Sequence, residues 1–133
     1  MARYIKSKFK VLWGTVFAFF YGFFVNDVFA LTKKNAINVA SKAHTAVCLM
    51  HMKGKPISMQ DKPIYNDLLD EIKTFLDDRV NKCIAAGIKR NSIIIDPGFG
   101  FGKTVSDNLK LLKNLHVFSD LKIPICVGPV SYT

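Results

Sequence analysis

Ser92–Ile93–Ile94–Ile95–Asp96–Pro97–Gly98–Phe99–Gly100–Phe101–Gly102–Lys103 decides the fold. Its isoleucine run is too short for a helix and apolar throughout, which predicts a strand of a parallel sheet buried on both faces. Asp96 closes that strand. Glycines at 98, 100 and 102 then make a loop that permits positive φ and close backbone approach. Ser106 is the expected N-cap of a helix running through about Leu115. The loop lies where phosphate loops lie, yet it is no Walker A loop. That motif needs a glycine six positions before the lysine, and Pro97 stands there. The glycine spacing does not fit G-x-G-x-x-G either. Lys103 reads as a solvated lysine. Asp96 is harder to dismiss, because a carboxylate at the end of so apolar a strand needs donors. A heterocycle presenting an amino group beside a ring N–H would supply two in parallel.

The same alternation extends upstream and downstream. Gly22 to Val28 is an apolar, strand-like run that ends in Asn26–Asp27. Asn35 to Ala43 repeats apolar residues at helical spacing, and Ala46 to Met52 is a second apolar strand. Gly54 and Pro56 mark a loop, and Asp61–Lys62–Pro63 a cap and first turn. Ile64 to Ala86 is the strongest helix, with Leu68, Leu69, Ile72, Phe75, Leu76, Val80 and Cys83 every three or four residues, and Gly87 stops it. Leu121 to Gly128 makes a fourth strand. The order βαβαβαβ predicts an α/β fold of about four parallel strands covered by helices on both faces. An open doubly wound sheet and part of a (β/α)8 barrel both fit. A whole barrel needs about 250 residues, and this chain has 133, room for half a barrel. In either architecture ligands bind at the carboxyl ends of the strands. Asn26, Asp27, His51 and Asp96 all fall there, which points to a site; His51 reads as a core or supporting histidine.

Composition narrows the function. Half the residues are hydrophobic and 22% are charged, which excludes disorder. The net charge is +9, but the lysines are spread from Lys6 to Lys122. Solvated helix faces and a general attraction for phosphate-bearing ligands fit this better than a nucleic-acid surface. Cys48, Cys83 and Cys126 each lie in an apolar run and read as reduced core thiols of a cytosolic protein, not a disulfide framework or zinc site. At the N-terminus, Arg3, Lys6, Lys8 and Lys10 precede an apolar run from Val11 to Val25. About fifteen residues fall short of the roughly 20 that span a bilayer. With Val28–Phe29–Ala30 the segment looks like a secretory signal. The competing reading is a buried strand over Gly22 to Val28, with Asn26 and Asp27 interrupting the apolar segment. These residues by themselves leave both readings open.

Three motifs in order, Asn26–Val28 (NDV), Leu49–Gly54 (LMHMKG) and Asp96–Lys103 (DPGFGFGK), resemble dihydropteroate synthase over about residues 25–128. The resemblance implies a (β/α)8 barrel, TIM-like, and a cytoplasmic transferase of folate biosynthesis, homodimeric in the family. That enzyme joins 6-hydroxymethyl-7,8-dihydropterin pyrophosphate to 4-aminobenzoate, releasing pyrophosphate, with Mg²⁺. It further implies that Asn26 and Asp96 hold the pterin ring, that Val28 and Met50 wall its slot, that Phe101 packs beside it, and that Gly128 completes the set. No catalytic residue is assigned, and the family's metal ligand lies outside the matching part. Residues 1–22 do not resemble the family's first three strands. After Val127–Gly128 the family reads Ser-Arg-Lys, whereas this chain reads Pro129–Val130–Ser131–Tyr132–Thr133. The expected organisation is therefore an atypical basic and aromatic segment 1–22, a partial pterin-binding barrel 23–128 and a divergent tail 129–133. A synthase fragment, inactive in isolation, is the leading reading, and it makes Phe23 to Val28 a strand. The rivals are a fragment of a methyltransferase acting on a methylated pterin, and a small exported or membrane-associated basic protein.

Overall fold

A computed structural model describes residues 16–19, 24–54 and 64–128. The sheet has four strands in the order β1 (Val16–Phe19), β2 (Phe24–Asp27), β3 (Ala46–Met50) and β4 (Ile93–Asp96). Helix α1 (Ala36–Lys42) joins β2 to β3, α2 (Leu68–Ala85) joins β3 to β4, and α3 (Val105–Lys113) follows β4. β2, β3 and β4 are parallel, with Asn26 opposite Cys48, Cys48 opposite Ile94 and Met50 opposite Asp96. β1 lies antiparallel to β2, a pairing absent from the expected order, inside the segment read as atypical.

About four parallel strands were expected and three form. The fourth, Leu121 to Gly128, shrinks to one parallel bridge between Ile95 and Ile125. Residues Leu115–Leu121 are a 3₁₀ helix that ends on Lys122 in the left-handed region, φ 52°. Pro124 contributes its carbonyl to Ile95 N–H at 3.0 Å but has no N–H to return, so no full ladder forms there.

The pleat sorts the strand residues onto two faces. Val25, Val47, Leu49, Ile93 and Ile95 join one core cluster with Ile72, Leu76, Val80 and Cys83 of α2, Leu111 of α3 and Phe118. Asn26, Cys48, Met50, Ile94 and Asp96 alternate with them and point to the other face. Helices were expected on both faces; among the described residues they cover one. An open doubly wound sheet needs both, so the arrangement is that of a barrel wall.

The helix ends differ from the sequence-based expectation in instructive ways. α2 starts at Leu68, where the Asp67 side chain accepts from Asp70 N–H at 3.1 Å; Ile64, the expected start, is exposed. The cap read at Asp61–Lys62–Pro63 lies outside the described residues. Gly87 stops α2 as expected, at φ 97°. α3 is capped by Thr104, not Ser106. Thr104 Oγ1 accepts from Asp107 N–H at 3.1 Å, and the Asp107 carboxylate accepts from Thr104 N–H at 2.9 Å. Only the Thr-x-x-Asp spacing closes such a reciprocal capping box. Cys48 and Cys83 are buried as expected, whereas Cys126 is exposed, because its strand is not continued.

Candidate functional site

β4 ends on Asp96 because the isoleucines before it fill the sheet, and its carboxyl turns to the helix-free face at the carboxyl end. Asp96 is 7% exposed, and its Oδ1 accepts from Gly98 N–H at 2.8 Å. Oδ2 has no bond to the chain among the described residues. Burial raises the carboxyl's pKa, while the Gly98 N–H and the Lys103 charge pull it back.

Met50, one strand over, is opposite Asp96 and buried. Asn26 shares the face on β2. Its Oδ1 is buried and has no hydrogen-bond partner among the described residues. A buried carbonyl oxygen without a donor is costly and marks a place where a donor is wanted. Val28 is half-buried just past the end of β2, and Phe101 is half-buried on the glycine loop. Gly128 is exposed, and a Cβ built there would meet nothing within 4 Å. The expected set therefore separates. Asn26, Met50 and Asp96 lie on one face, Val28 and Phe101 border it, and Gly128 stands apart from any described contact.

Asp27, counted among the rim residues, has another task. It faces the helices, with Oδ1 accepting from Phe29 N–H at 3.0 Å and Oδ2 from Leu31 N–H at 2.9 Å. These bonds hold a turn in which Ala30 and Leu31 adopt φ 48° and 56°. Buried Arg79 of α2 then bonds both of their carbonyls at 2.8 Å. Burial raises the Asp27 carboxyl's pKa, and the two amide bonds oppose it.

Lys103 is the largest departure from the sequence reading. Expected in solvent, it is 1% exposed. Its Nζ donates to the carbonyls of Gly98 at 2.8 Å and Phe101 at 3.1 Å, and lies 3.1 Å from His51 Nδ1. An ammonium has no lone pair, so Nδ1 accepts and the imidazole keeps its proton on Nε2. The physical reason is the turn itself. Positive φ at Gly98, Gly100 and Gly102 leaves loop carbonyls that need a buried donor. Burial first, and the Lys103 charge second, lower the His51 pKa to about 3. Burial lowers that of Lys103 to about 7, against the pull of Asp96 and Asp107. His51 is indeed a supporting residue, packed edge-on against Phe75 at 5.2 Å. Tyr65 Oη donates to Gly102 O at 2.7 Å, and Lys53 pairs with Glu71 at 3.1 Å, tying the segment after β3 to the same loop. Nothing in the spacing of Tyr65 marked it. The glycine run followed by lysine was the available sign for Lys103.

Residues 8–131 match the model of one family, the pterin binding enzymes. The chain belongs to the pterin-binding enzyme family. It is 43% identical over 104 residues to the dihydropteroate synthase of Haemophilus influenzae, covering 78% of this chain and 38% of that one. Against the Escherichia coli K12 synthase the identity is 38%, covering 78% and 37%. The crystal structure of Yersinia pestis dihydropteroate synthase with a sulfonamide drug superposes with a TM-score of 0.77 at 40% identity, over 80% of this chain and 39% of that one. The Xanthomonas albilineans synthase with 4-aminobenzoic acid gives 0.72 at 38% identity, over 79% and 36%. The chain thus spans a little over a third of the length of the synthases it matches, a dihydropteroate-synthase-like segment of a partial barrel. None of the helices among the described residues is long and apolar enough to cross a membrane.

Proposed function

We propose that this chain is the pterin-holding segment of a dihydropteroate synthase, with residues 23–128 as its working part and 1–22 and 129–133 as flanks. The observation that carries the reading is the pairing, on one helix-free face, of an orphaned acceptor at Asn26 with a half-used carboxylate at Asp96. The Asp96 carboxylate accepts from the pterin 2-amino group and N3–H. The Asn26 amide serves another ring edge, Met50 and Val28 wall the slot, Phe101 packs beside the ring, and Gly128 belongs to the set by family resemblance alone.

In the reaction so assigned, the amine of 4-aminobenzoate attacks the methylene of 6-hydroxymethyl-7,8-dihydropterin pyrophosphate, and pyrophosphate leaves. The protein's work is orientation and charge stabilisation more than covalent chemistry. The segment described here supplies the orientation of the pterin. Mg²⁺ belongs to the same reading through the family, whose metal ligand lies outside the matching part. A cytoplasmic location and a homodimer belong to the same reading; reduced buried Cys48 and Cys83 agree with the first.

Titration of a pterin against the chain and its variants tests the assignment. Asp96→Asn turns one acceptor into a donor facing a donor and is expected to weaken binding by about 2–3 kcal/mol. Asn26→Ala removes a neutral bond and is expected to cost about 1 kcal/mol. Equal affinity of the wild type and Asp96→Asn would mean that the pocket is assigned wrongly.

A further inference from the structure

We propose that Lys103 is a positioning residue for the ligand that Asp96 holds, acting through the glycine turn between them. The inference rests on the pterin reading above. Gly98 is the go-between: its N–H clamps Asp96 Oδ1 at 2.8 Å, and its carbonyl accepts from Lys103 Nζ at 2.8 Å. The same ammonium gathers the Phe101 carbonyl at 3.1 Å and the His51 ring at 3.1 Å. One buried cation therefore fixes the peptide that aims Asp96 and the residue that borders the slot. No side chain can stand in for the turn, since a Cβ on Gly98 would lie 1.9 Å from the His51 carbonyl oxygen.

The placement is costly. Among the described residues Lys103 has no carboxylate in direct contact, and a buried ion without one is held at a penalty. A methionine would escape that penalty but leave the Gly98 and Phe101 carbonyls without this donor. Besides holding the turn, the charge acts on its surroundings: its field favours the ionised form of Asp96, which is the form that accepts from two ring donors. The other charged and titratable groups around it are Asp107 at the start of α3, His51 and Lys53 after β3, Tyr65 just before α2 and Glu71 in its first turn. His51 is neutral across the useful pH range. Its burial and its contact with the ammonium leave Lys103 as the group here that changes charge near neutrality. Ligand binding then favours protonated Lys103 and weakens as pH rises.

The test titrates 6-hydroxymethylpterin against the 133-residue chain, Lys103→Met and Asp96→Asn, from pH 6 to 8.5. Lys103→Met is expected to bind at least tenfold more weakly at temperatures where both proteins are folded, and to melt lower because the Gly98 and Phe101 carbonyls lose their donor. The ratio of wild-type to Lys103→Met affinity, which cancels the ligand's own titration, is expected to shrink with pH. A second measurement needs no variant: with ¹⁵N-lysine, the Lys103 Nζ signal should titrate at higher pH once pterin is bound. Weak binding by Asp96→Asn beside wild-type affinity in Lys103→Met, or an Nζ signal that pterin does not move, overturns the inference and leaves the pterin reading standing. Wild-type affinity in Asp96→Asn overturns both.

Discussion

At the scale of single residues, this segment stakes most on Gly98 and the two titrating groups it separates. Gly98→Ala demands a side chain at φ 74° and a Cβ 1.9 Å from a backbone oxygen, so His51 or the turn must move. A loss of about 2–4 kcal/mol is expected, read as a lower midpoint in urea unfolding. Lys103 and His51 also give the fold a pH dependence of known sign. Both have proton affinities lowered by folding, so each binds fewer protons folded than unfolded. The His51 contribution is complete above its ordinary value of 6.5 and is lost as pH falls toward 3. The Lys103 contribution grows as pH rises from about 7 toward 10.5. Asp27 and Asp96, with raised carboxyls, act in the opposite sense in acid. His51→Gln is therefore expected to lose less melting temperature than the wild type between pH 7 and 4.5. Lys103→Met is expected to gain less between pH 7 and 9.5. Parallel melting curves for variant and wild type would remove the assignment.

At the scale of elements, two joints hold the helices to the sheet. The reciprocal bonds of Thr104 and Asp107 set the first turn of α3, and with it the exit of the glycine loop. Thr104→Ala is expected to cost about 1 kcal/mol, whereas Ser106→Ala is expected to be nearly silent because Ser106 caps nothing. The second joint is Arg79 on α2, whose Nε and Nη2 hold the Ala30 and Leu31 carbonyls that Asp27 has turned inward. Arg79→Met leaves two buried carbonyls without donors and should destabilise by about 2–4 kcal/mol. Arg79→Lys should recover only part, since one ammonium cannot reproduce the two-pronged geometry. Thermal unfolding of the three proteins side by side checks this order.

For the whole molecule, the decisive feature is a sheet with helices on one face and Asn26, Met50 and Asp96 on the other. In a (β/α)8 barrel the active rim collects groups from the ends of several strands. The described strands deliver one part of such a rim, in a chain that aligns with 38% of the Haemophilus influenzae synthase. The expectation is pterin binding without turnover. Assayed alone, the 133-residue chain should make dihydropteroate several powers of ten more slowly than a full-length synthase, since each lost transition-state donor costs about 10²–10³. A rate near that of the full-length enzyme would contradict it.

The sequence by itself determined the alternation of strand and helix, the parallel pairing of three strands and the positions of Asn26, Met50 and Asp96 at their ends. Those depend on apolar period and on polar residues at strand termini, which are local and one-dimensional. The NDV, LMHMKG and DPGFGFGK motifs likewise carried the family. Tertiary structure decided the rest. Whether helices covered one face or two depends on which way each crossover packs. Asp27 and Asp96 look alike in sequence, as acids closing apolar strands, but pleat parity sends one to the helices and the other to the open face. The expected strand at Leu121 to Gly128 had apolar residues enough, yet Pro124 and the left-handed Lys122 left it a single bridge. Lys103 read as solvent-facing because lysine usually is. Only the folded glycine turn, with its inward carbonyls and the His51 ring beyond them, makes burial of that charge possible, since a charge enters a protein interior where donors and acceptors from distant segments meet it.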